Sequence, residues 1–262
     1  MSAPSSTPSI AELRAATQPA SLFARNSGEH WAGRLYVRRL SPYVTRALIP
    51  TRVSPNAVTW AMTVVGLLAA AVLTLPGVWP AAVALVLIQV QILLDCSDGE
   101  LARWRRQYST AGIYLDRFAH YLTETALPIA LGIRADGGWD EIGTYTTLGL
   151  LAAVLALLVR TESALVHVAR TEAGKPVVAD TADVAAPRAT GIRRLRRWVG
   201  FFPFFRAFVA VEATILAFVA ALLDLALGDL EATRVLVVAL VPVAAITAAG
   251  HLLAILTSER LR

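Results

Sequence analysis

Six apolar runs set what this chain can fold into. The first, Ala57 to Leu75, is nearly uninterrupted and has roughly the 20 residues a helix needs to span a bilayer. Ser54-Pro55 opens it with a cap followed by proline at the first helical position, and Pro76-Gly77 turns it. A second run, from about Trp79 through Leu94, continues as helix into a polar stretch, Asp95 to Arg106. The third begins near Thr110 and ends before Arg134. The fourth covers about Tyr145 to Val168, the fifth about Pro203 to Leu227, and the sixth about Arg234 to Leu256. Long runs rather than short alternations predict an all-α polytopic membrane protein with about six transmembrane helices.

The composition agrees with that class. The 262 residues are 56% hydrophobic and 16% charged, with a mean hydropathy of +0.58. A pI of about 9.9 would also suit a nucleic-acid binder, but the basic residues cluster beside apolar runs. Nucleic acid is therefore not an expected partner, whereas membrane lipids are. With a cytoplasmic N-terminus, the arginine-rich N-terminal region, Arg103, Arg105, Arg106, the 170–197 loop, Arg260 and Arg262 all face the cytoplasm. The opposite loops keep Arg134 and Arg234 among Asp136, Asp140, Glu141, Asp229 and Glu231. This asymmetry predicts both termini inside, in the plasma (cytoplasmic) membrane. The single cysteine, Cys96, excludes an internal disulfide and reads as a small packed side chain.

Three regions are expected. Residues 1–28 read as a disordered polar tail; Met1 to Ala20 is Ser/Pro/Ala-rich and lacks the apolar core of a cleavable signal. Residues 29–50 mix Trp31, Leu35, Tyr36 and Tyr43 with Arg34, Arg38, Arg39 and Arg46, the pattern of a juxtamembrane amphipathic helix on the cytoplasmic side. An ordinary packed amphipathic helix would read the same way. Ser41-Pro42 is expected to interrupt it, with Ser41 capping a second short helix. Residues 51–262 form the transmembrane domain, with Gln89 and Gln91 available to bond neighbouring helices.

The polar stretch at 95–120 carries the chemistry. Counted on a helix from Asp95, residues Asp98, Gly99, Ala102 and Arg103 fall at i+3, i+4, i+7 and i+8, on one stripe. On the next helix Gly112, Asp116, His120 and Glu124 repeat every fourth residue, again one face. Carboxylates at the edge of a membrane span are costly and are a functional hypothesis by default. Three of them converging would repel unless neutralised, and hard oxygen ligands suit Mg²⁺ or Mn²⁺. Gly99, Ala102 and Gly112 clear space for a bulky ligand, and Arg103 offers a planar fork to phosphate oxygens. Together they read as a metal-assisted pyrophosphate site. The plainer alternative has the carboxylates bracing helices through salt bridges to the nearby arginines.

Asp95-x2-Asp98-Gly99-x2-Ala102-Arg103-x8-Gly112-x3-Asp116-x3-His120 resembles the signature of the CDP-alcohol phosphotransferases (CDP-alcohol phosphatidyltransferases), D-x2-D-G-x2-A-R-x8-G-x3-D-x3-D. Every spacing agrees, and every fixed position but the last. The motif covers residues 95–120 only, although six membrane helices behind a surface helix also look like the family. The resemblance implies transfer of a substituted phosphate from a CDP-linked donor, often CDP-diacylglycerol, to an alcohol acceptor with release of CMP. That would be a step of phospholipid biosynthesis. It further implies that Asp95, Asp98, Asp116 and the residue at 120 hold two divalent ions. Gly99, Ala102, Arg103 and Gly112 would shape the CDP site, with Asp98 shared between the two. A homodimer is consistent with the resemblance.

The departure is His120, where the family has an aspartate that ligates metal and serves as base. Three readings compete. His120 is itself the base and a metal ligand, its ordinary pKa of about 6.5 suiting proton abstraction near neutral pH. Alternatively Glu124, one turn on, supplies the missing charge, or the activity is altered. Arg160 and Arg206 are candidate contacts for a phosphorylated acceptor. Their plainer roles are pairing of Arg160 with Glu162 or Glu212 and snorkelling of Arg206 to headgroups. His251 reads as a packed polar bridge. Two other functions stay open: the same chemistry with a soluble CDP-polyol donor and a phosphorylated polyol acceptor, or a cation-coupled transporter using the intramembrane carboxylates.

Overall fold

The computed structural model describes residues 8–19, 31–140, 142–176, 204–258 and 261, and among these every regular element is helical. Helix α1 is Ile10–Thr17. A π-helical turn, Gly33–Val37, leads into α2, Arg38–Leu48. The long helices follow: α3 Pro55–Leu73, α4 Val78–Arg105, α5 Thr110–Ala135, α6 Thr144–Glu172, α7 Ala210–Leu227 and α8 Glu231–Thr257. All but α5 are both long and apolar enough to cross a membrane. Helix α5 matches them in length, but it carries Asp116, Arg117, His120 and Glu124. The protein is an integral membrane protein, and its outward-facing apolar side chains, Val64, Leu68, Val86, Leu165 and Ile246 among them, are exposed as lipid contact requires.

Ser54 caps α3 as expected, its Oγ accepting from Ala57 N at 3.2 Å. The fifth run begins later than Pro203: a 3₁₀ turn, Phe204–Phe208, precedes α7. The Phe201–Phe205 side chains and the Arg193–Arg197 cluster lie outside the described residues.

The chain divides into two compact units, one of Met1–Gly66 with Leu87–His120, the other of Leu67–Val86 with Tyr121–Arg262. The first corrects two expectations. Residues 10–17, within the stretch expected to be disordered, form α1. A capping box between Ser9 and Glu12 starts this helix, and Leu13 and Thr17 are fully buried. Ser41-Pro42 does not break α2 either. Gly33, Val37, Ser41 and Thr45 form a buried stripe at every fourth residue, while Arg34, Leu35, Arg39, Leu40, Tyr43 and Arg46 stay exposed. Proline at 42 has no N–H for the carbonyl of Arg38, four residues back. That carbonyl instead accepts from Gln18 Nε2 at 2.9 Å, so the lost helix bond is replaced by one from just beyond α1. Gln89 is engaged by the Tyr36 hydroxyl.

In the second unit α8 packs against α6 and α7. The buried positions are small: Ala152, Ala153 and Ala156 on α6, Ala213, Ala217, Ala220 and Ala221 on α7, Ala244 and Ala248 on α8. In lipid, small residues let helices approach for van der Waals contact. Helices α5 and α6 approach each other at two glycines. A Cβ on Gly132 would lie 2.5 Å from the Tyr145 carbonyl oxygen, and one on Gly149 2.5 Å from that of Pro128. His251 bridges α8 to α6, its Nε2 3.0 Å from Ser163 Oγ.

Candidate active site

Helices α4 and α5 bring the motif together at the loop 106–109. Arg106, just past α4, takes a left-handed φ of 54°. The amide of Gln107 reaches back to the Ala102 carbonyl at 2.9 Å, closing α4 as a helix end of this kind requires. The chain then re-enters helix at Thr110, so Asp95 on α4 meets Asp116 and His120 on α5. His120 Nε2 lies 3.0 Å from Asp95 Oδ1 and 3.6 Å from Asp116 Oδ1. One ligating atom from each of the three lies within 4.8 Å of the others. All three side chains are partly exposed, at 26%, 46% and 39% for Asp95, Asp116 and His120, so the cluster is open to a solute.

Asp98 takes a different place. It is buried, and its Oδ2 accepts a 2.6 Å hydrogen bond from Thr59 Oγ1 on α3. Among the described residues the cluster that could hold a metal ion consists of Asp95, Asp116 and His120 without it. Gly112 has Asn56 beside it: a Cβ there would lie 3.0 Å from Asn56 Oδ1. Gly99 clears room for a neighbour on its own helix, since a Cβ would lie 3.2 and 3.3 Å from Nη1 and Nη2 of Arg103. Arg103 is therefore folded back along α4, and its Nε donates to the carbonyl of Thr17 at 2.6 Å.

Glu100, inside the motif but not one of its fixed positions, is the residue that sequence reasoning missed. It is fully buried and accepts from Gln18 Nε2 at 2.8 Å, Ser41 Oγ at 2.5 Å and Thr45 Oγ1 at 2.7 Å, with Arg38 Nη1 3.8 Å away. The signal was available: hydroxyls at 41 and 45, one turn apart on an amphipathic helix, ask for a buried acceptor. Arg105 fastens the 48–53 connection to the end of α4 through the carbonyls of Leu48, Ile49, Thr51 and Val53. Thr59 was likewise legible only as a hydroxyl one turn past the cap of an apolar run.

Residues 52–240, most of the chain, match the family model described as CDP-alcohol phosphatidyltransferase. The chain belongs to the CDP-alcohol phosphatidyltransferase family. No curated protein matches it in a sequence search. Membership carries CDP-alcohol phosphotransferase chemistry in a membrane setting, and Asp95, Asp116 and His120 form a group that could hold a metal ion.

The auxiliary residues of this family member are arranged otherwise than expected. Glu124 is gripped by Arg160 through Nε at 2.6 Å and through Nη2. Its charge is thus matched by a bidentate partner. Arg160 pairs with neither Glu162 nor Glu212. Arg206 stands 3.6 Å from Glu212 as an ion pair.

Proposed function

We propose that the protein transfers a substituted phosphate, phosphatidyl from CDP-diacylglycerol, to an alcohol acceptor with release of CMP, as a step of phospholipid biosynthesis. The observation that carries this reading is the meeting of Asp95, Asp116 and His120 at one point. Asp95 and Asp116 fit a divalent cation such as Mg²⁺ or Mn²⁺, Asp98 adds a further carboxylate for a second ion, and the His120 imidazole is kept for the proton. When bound, the metal would neutralise charge on the pyrophosphate and on the transferring phosphoryl group.

The chain's own residues do the rest. Arg103, together with Gly99, Ala102 and Gly112, binds the CDP moiety. His120 accepts the proton of the acceptor hydroxyl at Nε2, where the family carries a carboxylate. The hydroxyl oxygen forms the new bond to the β-phosphorus, the bond from that phosphorus to the bridging oxygen breaks, and CMP leaves with that oxygen. Burying Asp98 against Thr59 holds α3 to α4 beside the reacting groups.

The site faces the cytoplasm in this reading, where soluble nucleotides and lipid donors both reach it. Two details support that orientation. Arg134 and Arg234, the basic residues of the opposite loops, are both used on helix ends. Arg134 is fully buried and donates to the carbonyls of Leu75 and Gly77, at 2.6 and 2.8 Å, and Arg234 Nε donates to that of Ala135 at 3.3 Å. Neither then weighs against the positive-inside pattern.

The decisive experiment is CMP release by purified protein with Mg²⁺ or Mn²⁺, comparing CDP-diacylglycerol with CDP-polyols over a panel of alcohols. Release with CDP-diacylglycerol supports the proposal, and release only with CDP-polyols moves the donor to the soluble class. No metal-dependent release from any donor, with cation flux in liposomes, replaces it by a transporter.

A further inference from the structure

The N-terminal helix lies outside the matched family region, yet it touches the motif at two points. Helix α1 has eight residues, too short to persist alone in water, so its order comes from docking. Leu13 and Thr17 supply the buried face. Arg14 Nη2 donates to the Arg39 carbonyl at 2.9 Å, and Gln18 Nε2 donates both to the Arg38 carbonyl left open by Pro42 and to the buried carboxylate of Glu100. The Thr17 carbonyl, one of the last four of α1 and so without an intrahelical partner, accepts from Arg103 Nε.

A guanidinium is a rigid planar fork of five N–H donors, and phosphate is held best by two parallel ones. Fixing Nε on Thr17 sets the plane of the Arg103 fork and leaves Nη1 and Nη2 as the edge on offer, with Gly99 giving those two nitrogens their room. Glu100 lies three residues before Arg103 on α4 and is held by Gln18, the residue after Thr17. Both ends of that helical turn are thus registered against the end of α1.

We infer that helix α1 is a positioning element of the donor site, acting through Arg103: it orients the guanidinium for the pyrophosphate of the CDP-linked donor. This rests on the reading of Arg103 as a donor-binding residue. A positioning role predicts a change in donor affinity with the chemical step intact, whereas a merely structural helix would lower stability or total activity without that split.

The test uses the full chain with Leu13→Asp, which undocks α1, and Gln18→Ala, which removes the carboxamide while keeping the helix. Each is measured alone and together with Arg103→Ala, with the donor that supports CMP release by the wild type. Leu13→Asp is expected to raise the KM for donor about tenfold, and Gln18→Ala about threefold, with kcat and the KM for alcohol little changed. In the Arg103→Ala background neither substitution is expected to raise donor KM further. Unchanged donor KM in both single variants overturns the inference, as do effects that multiply undiminished on Arg103→Ala. Should Leu13→Asp fail to fold, the Gln18→Ala result decides in the same way. A wild type that releases no CMP from any CDP-linked donor overturns the donor reading and this inference with it. An active wild type with unmoved variants overturns the inference alone.

Discussion

At position 120 an imidazole stands among carboxylates where the family signature has another carboxylate. Neutral histidine offers a metal one nitrogen and less charge, but its ordinary pKa lies close to the pH at which a hydroxyl must lose its proton. Nε2 lies within 3.0 Å of Asp95 and 3.6 Å of Asp116, whereas Glu124 is committed to Arg160. The geometry therefore favours His120 over Glu124 as the replacement for the missing aspartate. His120→Ala should lower kcat for CMP release by about 10²–10⁴, the usual worth of a positioned acid or base, while His120→Asp should restore most of it. Full turnover in the alanine variant would sink this assignment. The motif residues that meet here were legible from four-residue spacing alone. The direction in which Asp98 and Arg103 turn was not, because both answers lie in partners far along the chain, Thr59 and Thr17.

Among the elements, α6 has the most heavily defended start. Asp136, in the loop before it, accepts from the amides of Gly143, Tyr145 and Thr146 and from the Thr146 hydroxyl, satisfying donors that a helix N-terminus leaves open. Glycine at 143 lets the carboxylate come close, since a Cβ would lie 2.8 Å from Asp136 Oδ1 and push it aside. Burial raises the Asp136 pKa, but the four donated hydrogen bonds outweigh it and hold the carboxyl below its usual range. A depressed folded-state pKa gives stability that is complete above the unfolded value, about 4, and lost as pH falls through the lower folded value. Thermal melts in detergent should show Asp136→Asn less stable at neutral pH, by about 1 kcal/mol, with the gap to wild type closing below about pH 4. A gap that persists in acid would assign the loss to shape rather than charge. Gly149→Ala should cost about 1–3 kcal/mol by pushing α6 off the Pro128 carbonyl, read as a lower Tm with no change in donor KM. A Tm equal to wild type would show that the α5–α6 crossing yields easily.

For the whole molecule, topology is the testable property. Cys96 is the sole cysteine and is buried, so Cys96→Ser gives a background in which introduced thiols report alone. In intact cells a membrane-impermeant maleimide should label Asp140→Cys, in the loop between α5 and α6, and spare Gln107→Cys until the membrane is opened. The reverse pattern would invert the orientation. At this scale the sequence was most readable. Apolar run length places the five most apolar helices, and the polar first half of α5 is the one departure, because that helix carries the cluster. Least readable was the N-terminus. Residues 10–17 follow a Ser/Pro-rich stretch and pass for part of a tail, and a capping box together with docking makes them helix. Pro42 misled for a related reason: its missing N–H reads as a break unless a donor from elsewhere, Gln18, meets the open carbonyl.

Gly99 and Arg103 lie against each other one turn apart on α4, so the room at one depends on the side chain at the other. A methyl at 99 would press on Nη1 and Nη2 of Arg103 at 3.2 and 3.3 Å, so the guanidinium would have to shift to admit it. The effect of a side chain added at 99 should therefore depend on the residue at 103. A mutational scan of the two together should show that dependence as strong epistasis.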